Sequence, residues 1–192
     1  MEANDNKQNH PKKLNLGCGK AKMAGWVNVD TNPNCNPDIG HDLNEFPYPF
    51  EDNAFDEIYI DHVLEHLDNP LAVLEEVFRI SKNDCKITVK CPHFSCNWLH
   101  PGHKSAISTY LFDFFDENHG ERFGTASFKV GKIKLYWIRN RKDSLKSRNF
   151  FARFVNSAIN FFANLNIHVA ERVWCYWVGG FEEIYFEVRT KK

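Results

Sequence analysis

The stretch from Leu14 to Pro92 constrains the fold most. It reads as strand, glycine turn, strand ending in a carboxylate, acidic turn, strand, helix and strand. Leu14-Asn15-Leu16 runs into Gly17-Cys18-Gly19, and Trp26 to Asp30 follows as a second short β-rich run. Thr31 to Asp52 is rich in Pro, Asn and Gly, with a third short strand expected near Ile39 to Leu43. Phe55 to Ile60 alternates and is β-rich. Val63, Leu67, Leu71, Leu74, Val77 and Phe78 fall at helical spacing, so the pattern predicts a helix over Asp61 to Ile80, with Pro70 able to break it. Ser81 to Cys85 reads as a turn and Lys86 to Cys91 as a strand stopped by Pro92. Short strands alternating with helical connections predict an α/β fold, a mostly parallel sheet covered by helices.

Beyond Pro92 the spacing of Ile107, Tyr110, Leu111, Phe114 and Phe115 predicts a helix over Ser105 to Glu117. Phe128 to Ile138 alternates and reads as a long strand; Glu182 to Arg189 does the same and closes the chain. Between them, Phe150, Phe151, Phe154, Val155, Ala158, Phe161, Phe162 and Leu165 form one apolar helical stripe. Asn149, Asn156, Asn160 and Asn164 lie opposite. Such a stripe predicts a core-facing helix. Its aromatic content and the flanking Arg148 and Arg153 support a second reading, a substrate lid or a peripheral membrane contact.

With 192 residues, 43% of them hydrophobic, the chain is long and apolar enough for one domain with a full core. Residues 1–12 are polar and aperiodic, so they read as a tail; 13–192 form the domain, with 139–180 inserted before the last strand. The tail has no apolar segment of the secretory kind, and no apolar run is long enough to span a bilayer. The six cysteines form no Cys-x-x-Cys pair, which fits reduced thiols and a cytoplasmic location. Charge is unevenly distributed. Asp30 to Phe78 holds thirteen Asp and Glu and no Lys or Arg, whereas Lys129 to Arg153 holds nine Lys and Arg against one acid. Two solvated faces explain this; an anionic partner near the basic segment is the sharper alternative.

A strand that ends in Gly-x-Gly lets a ligand approach bare backbone. A carboxylate ending the next strand is where nucleotide-binding sheets hold a ribose hydroxyl pair, and Asp30 stands there. A dinucleotide turn would need a glycine where Lys22 stands, so a cofactor without a pyrophosphate fits better.

These residues together resemble the class I S-adenosylmethionine-dependent methyltransferases, type 11-like. Leu14 to Gly19 resembles the first motif; Asp30 matches its ribose-holding acid. His41-Asp42-Leu43 followed by Phe46-Pro47-Tyr48-Pro49-Phe50 resembles the family's "D-L … lPF-p-d" segment. Asn53 to Tyr59 resembles its "n-s-F-D-e-v" segment, and Asp61-His62-Val63-Leu64-Glu65-His66-Leu67 its "s-H-V-L-E-H" segment. Pro70 to Ile87 resembles the helix and turn before the fifth strand. The resemblance implies a Rossmann-like sheet with a final antiparallel strand, S-adenosyl-L-methionine as cofactor, and a cofactor site made of Gly17, Cys18, Gly19, Asp30, Asp42, Leu43, Asp61 and His62. Asp42 would accept from the adenine amino group and Leu43 would lie against the ring. Two departures stand out. Ala21 replaces the third glycine of the usual turn, and the link to the second strand is too short for a full crossover helix.

The implied activity is methyl transfer to an acceptor that the motifs do not name. A small molecule or a glycan or lipid precursor fits better than nucleic acid, since no base-reading motif is present. A non-catalytic methyltransferase-like binding or partner protein is the rival. His93 and His103, in the loop after the fifth strand, are the expected base or acceptor-orienting residues, with His62 and His66 as alternatives. Cys91, His93, Cys96, His100 and His103 could each ligate zinc, but their spacing matches no standard pattern, and no metal is expected.

Overall fold

The structure, a computed structural model, describes residues 11–97, 99–139 and 150–192. Seven strands form one sheet: β1 (Lys13–Leu16), β2 (Val27–Asp30), β3 (Ile39–Gly40), β4 (Phe55–Asp61), β5 (Ser81–Pro92), β6 (Phe128–Tyr136) and β7 (Glu183–Thr190). Their order is β3-β2-β1-β4-β5-β7-β6. The pairs from β3 through β5 are parallel, and β7 runs antiparallel between β5 and β6. The single α/β domain with a mostly parallel sheet and a last antiparallel strand is therefore as the sequence implies.

Alternation along the strands sets the core. Leu14, Leu16, Ile58, Ile60, Ile87, Val89, Ile184, Phe186 and Val188 are buried, and Val73, Leu74, Val77 and Ile80 cover them from helix α1 (Pro70–Ile80). That helix starts later than the apolar spacing suggests. Pro70 takes its first turn, and the Asn69 side chain caps it by accepting the Ala72 N–H at 3.1 Å. Asp61 still belongs to β4, His62 adopts φ 56°, and Leu64–His66 is a 3₁₀ turn. The expected helix over 61–80 is thus a strand end, a turn and a shorter helix. Ser81 to Cys85, expected as a turn, lies within β5, where the register shifts against β4 between Phe55 and Glu57.

No crossover helix joins β1 to β2. Two buried asparagines hold the connection instead. Asn15 donates to Asn28 Oδ1 and to the Ala21 carbonyl, and Asn28 bonds both the Met23 amide and the Met23 carbonyl. Their side-chain amides meet backbone groups that a helix would have satisfied internally.

The helix expected over Ser105 to Glu117 does not form. Only Asp113–Phe115 is helical, as a 3₁₀ turn. The Thr109 amide donates to the buried Glu171 carboxylate at 2.9 Å and so leaves the helical ladder. Ile107, Leu111, Phe112 and Phe115 are nevertheless buried.

Helix α2 spans Phe94–Asn97 and α3 spans Phe150–Leu165. The apolar stripe of α3, expected to face the core, faces outward instead: Phe150, Phe151, Phe154, Phe161, Phe162 and Leu165 are exposed, Phe162 by 65%. The asparagine face packs inward. Asn164 accepts from the Leu135 amide at 2.9 Å and donates to its carbonyl at 2.8 Å, and Asn160 accepts from the Trp137 amide at 2.8 Å. β6 is an edge strand with unpaired backbone groups, and asparagine carries both a donor and an acceptor to meet them. Three expectations fall partly outside the described residues: most of the 1–12 tail, part of the 139–180 insertion, and Arg148 and Asn149 beside α3. Among the described residues no helix is long and apolar enough to cross a membrane.

Candidate functional site

At the carboxyl ends of β1 to β4 lies a cleft of about 340 Å³, within the range of about 300–1,000 Å³ typical of small-molecule sites. Gly17, Asp30, His41 and His62 line it, each at or just past the end of its strand. Gly19, Thr31, Asp42, Leu43, Val63, His66 and Leu67 complete the lining. A wider hollow of 600 Å³, near Asp52, Asn53, Arg79 and Lys192, opens at the opposite, amino ends of the strands. It is the cleft at the carboxyl ends that has the geometry of a ligand crevice in a parallel sheet.

Gly17 and Gly19 sit at φ 65° and 47°, conformations that glycine adopts without strain. Gly17 admits no side chain, since a Cβ there would lie 2.3 Å from Val63 Cγ2. At Gly19 an added Cβ would meet nothing within 4 Å, so its backbone is open to a ligand. The Asp30 carboxylate ties this turn to β2. One oxygen accepts the Gly19 N–H at 2.7 Å and the other the Asn32 N–H at 2.8 Å. Each oxygen retains a second lone pair. Asp42 Oδ1 accepts from the Asn44 amide and side chain, while Oδ2 accepts nothing from the described residues. Leu43, Val63 and Leu67 make the floor apolar.

Beside the cleft His62 lies between two carboxylates. Its Nε2 is 3.0 Å from Glu183 Oε2 and its Nδ1 is 3.2 Å from Glu65 Oε1, on a fully buried side chain. Burial opposes the imidazolium, but the bonds to Glu183 and Glu65 outweigh it and raise the His62 pKa above the ordinary histidine range. Arg139 pairs with Glu183 at 2.9 Å and with Asp61 at 3.2 Å, and Tyr59 donates to Asp61 at 2.8 Å.

Of the residues expected at the site, Gly17, Gly19, Asp30, Asp42, Leu43 and His62 come together on the cleft. Cys18 does not line it. Its side chain is buried and its amide donates to the Val29 carbonyl. Asp61 also lies off the lining, held in the Arg139 network. His93 is 0% exposed, with Nδ1 2.7 Å from Ser95 Oγ and Nε2 3.1 Å from Glu171 Oε1, so neither ring nitrogen is offered to an acceptor. The Glu171 hydroxyl partner is Thr109. Burial works against the charge on Glu171, but the bonds from His93 and Thr109 prevail and lower its pKa. His103 lies with its ring centroid 4.8 Å from that of His66, on the cleft rim. The five residues weighed for zinc do not gather as a set: Cys91 is buried in β5 and His93 is committed to Glu171, while His100 and His103 stack on one another.

Thr31, His41, Val63 and Leu67 escaped the site prediction although each neighbours a predicted residue or lies one turn away. Glu65 stood inside the s-H-V-L-E-H segment but was given no role, and Arg139 and Glu183 carried no sequence signal, because β6 and β7 bring distant segments to His62.

The sheet order and the cleft at its carboxyl ends define the class I methyltransferase fold. The family model described as a methyltransferase domain matches residues 14–89. That match spans less than half of the chain, and the fold is that of the class I S-adenosylmethionine-dependent methyltransferases; S-adenosylmethionine is the cofactor that goes with both. Among solved structures, a SAM-dependent methyltransferase from Archaeoglobus fulgidus is 18% identical with a TM-score of 0.55, covering 94% of this chain and 86% of that one. A methyltransferase from Mesorhizobium loti is 12% identical with a TM-score of 0.57, over 93% and 90%. The [4+2]-cyclase SpnF is 14% identical with a TM-score of 0.57, over 94% and 75%. A search of curated proteins found no match.

The donor set fits the cofactor. One carboxylate, Asp30, stands beside an open glycine backbone, and a second, Asp42, has an unengaged oxygen above an apolar floor. A ribose diol, an adenine amino group and an adenine face need those three surfaces.

Proposed function

We propose that the protein transfers the methyl group of S-adenosylmethionine to a small-molecule, glycan-type or lipid-precursor acceptor bound at the rim of this cleft. The observation that carries the reading is the convergence of Gly17, Gly19, Asp30, Asp42 and Leu43 on one 340 Å³ space. The cofactor supplies a methyl group on a sulfonium sulfur. The chain's residues bind and orient: Asp30 takes the ribose hydroxyls, Asp42 the adenine amino group, and Leu43 the ring. Alignment and exclusion of water carry much of the rate in such a displacement. His66 and His103 on the rim are the residues that meet an acceptor. Calorimetry with S-adenosylhomocysteine, followed by its detection as product over an acceptor panel, tests the proposal. No binding at millimolar nucleoside would refute it. Binding without product would favour the non-catalytic reading, a live rival because this fold also serves a cyclase.

The outward face of α3 and the segment that follows it favour an acceptor presented at a lipid surface. Phe150, Phe154, Phe161, Tyr176 and Trp177 are exposed, Trp177 by 84%. The one acid of residues 150–178, Glu171, is buried, whereas Arg153 and Arg172 are exposed. Exposed aromatics with cations and no exposed acid match an anionic bilayer interface. Flotation with phosphatidylglycerol vesicles should retain the protein, and Phe161→Ser with Phe162→Ser should release it. Flotation that is absent, or indifferent to these changes, would dismiss a membrane contact; dimerisation lost in the same variant would show that a second copy covers the face instead.

A further inference from the structure

We propose that His66, His100 and His103 form a divalent metal site, best suited to zinc, at the rim of the cofactor cleft. One ligand nitrogen from each of the three rings lies within 4.8 Å of the others. The rings are also in mutual contact, with centroids 4.8 Å apart for His66 and His103, 4.7 Å for His100 and His103, and 5.5 Å for His66 and His100. Three ligand nitrogens no more than 4.8 Å apart have a common centre within about 2.8 Å of each, against Zn–N bonds of about 2.0–2.1 Å. Small rotations of partly exposed side chains would close the difference.

The surroundings prepare a ligand. His66 Nδ1 lies 3.0 Å from the Gly102 carbonyl, which can only accept, so Nδ1 carries the proton and Nε2 the lone pair. A backbone carbonyl that fixes the tautomer in this way is the usual outer partner of a metal-bound histidine. His100 Nδ1 accepts the Gly102 amide at 3.1 Å, so a metal ion would take that lone pair in place of the amide. Three imidazoles favour zinc, nickel or copper over magnesium or calcium. A site with three protein ligands leaves a fourth position for water or substrate. The other group with ligand potential, Asp61, His62 and Glu183, is already neutralised by Arg139 and carries no such inference.

His66 also lines the cleft, so an ion there would stand where the acceptor is proposed to enter. Its bound oxygen or nitrogen would be polarised and would lose its proton more readily. This role rests on the methyltransferase reading; the metal site itself does not.

The test uses the full chain without a histidine tag, stripped with EDTA and titrated with zinc chloride in a calorimeter. One ion per chain is expected, and cobalt(II) should give the visible absorption of a four-coordinate site. His66→Ala and His103→Ala should each weaken zinc binding by more than about tenfold. His119→Ala, at a histidine packed on Phe114 elsewhere, should not. S-adenosylhomocysteine affinity measured on the same His103→Ala sample shows that the variant is folded. Substoichiometric zinc, or equal zinc affinity in His103→Ala, would overturn the proposal. Zinc failing while the nucleoside binds would sink the metal site alone; the nucleoside failing while zinc binds would sink the methyltransferase reading alone.

Discussion

Replacing Asp30 removes the side chain that ties the glycine turn to β2 and that the proposed function sets against the ribose. In the structure its oxygens accept the Gly19 and Asn32 amides at 2.7 and 2.8 Å. With cofactor bound, the remaining lone pairs would face the ribose hydroxyls. Hydrogen bonds to a charged acceptor contribute about 1.5–3 kcal/mol each before allowance for water. Asp30 is half-buried, so released hydroxyls and amides regain part of that from solvent. The expected loss in Asp30→Ala is about 1–3 kcal/mol in cofactor affinity, or about 5- to 150-fold in Kd. Asp30→Asn should do no better. Whichever way its amide is turned, the NH₂ group faces a backbone N–H that needs an acceptor, at Gly19 or at Asn32. Calorimetry with S-adenosylhomocysteine reads the affinity, and a urea titration shows that the variant is folded. A folded Asp30→Ala protein with unchanged Kd would refute the reasoning, because the ribose would then be held elsewhere.

Gly17→Ala should destabilise the protein by about 2–5 kcal/mol in urea unfolding, from a left-handed backbone together with overpacking against Val63. His62 has a folded pKa raised above the unfolded value of about 6.5. Its contribution to stability is complete below that value and is lost as pH rises through the folded pKa. The urea midpoint should therefore fall as pH rises from the unfolded value through the raised folded pKa, and His62→Gln should flatten that slope; an equal slope in the variant would refute the assignment. Asn164→Leu, although apolar, should cost about 1–3 kcal/mol because the β6 edge at Leu135 loses both partners. Phe162→Ser should change stability by less than about 0.5 kcal/mol, since that ring is exposed. The reverse ranking would mean that α3 packs by its aromatic face.

Much of the cofactor cleft could be read from the chain because its parts are local. A glycine turn, a carboxylate one strand later and an Asp-Leu pair after the third strand all sit at strand ends, and parallel pairing brings strand ends to one side. The histidines expected to face an acceptor were harder. Within the 93–103 loop, His93 and His103 look equivalent, yet one is sealed against Glu171, 78 residues away, and the other lies on the rim beside His66. Apolar spacing also misplaced helix boundaries, because residues such as Val63 and Ile107 are buried from turns as readily as from helices.

What the amino-acid order determined alone was the succession of short strands, the backbone freedom at Gly17 and Gly19, and the position of Asp30 at a strand's end. These depend on side-chain alternation and local torsions, which act within a few residues. Which side of α3 turns inward was decided only by the tertiary structure. An apolar stripe reports that a surface shuns water, but the unpaired edge of β6 required hydrogen bonds, and only the asparagine face could supply them.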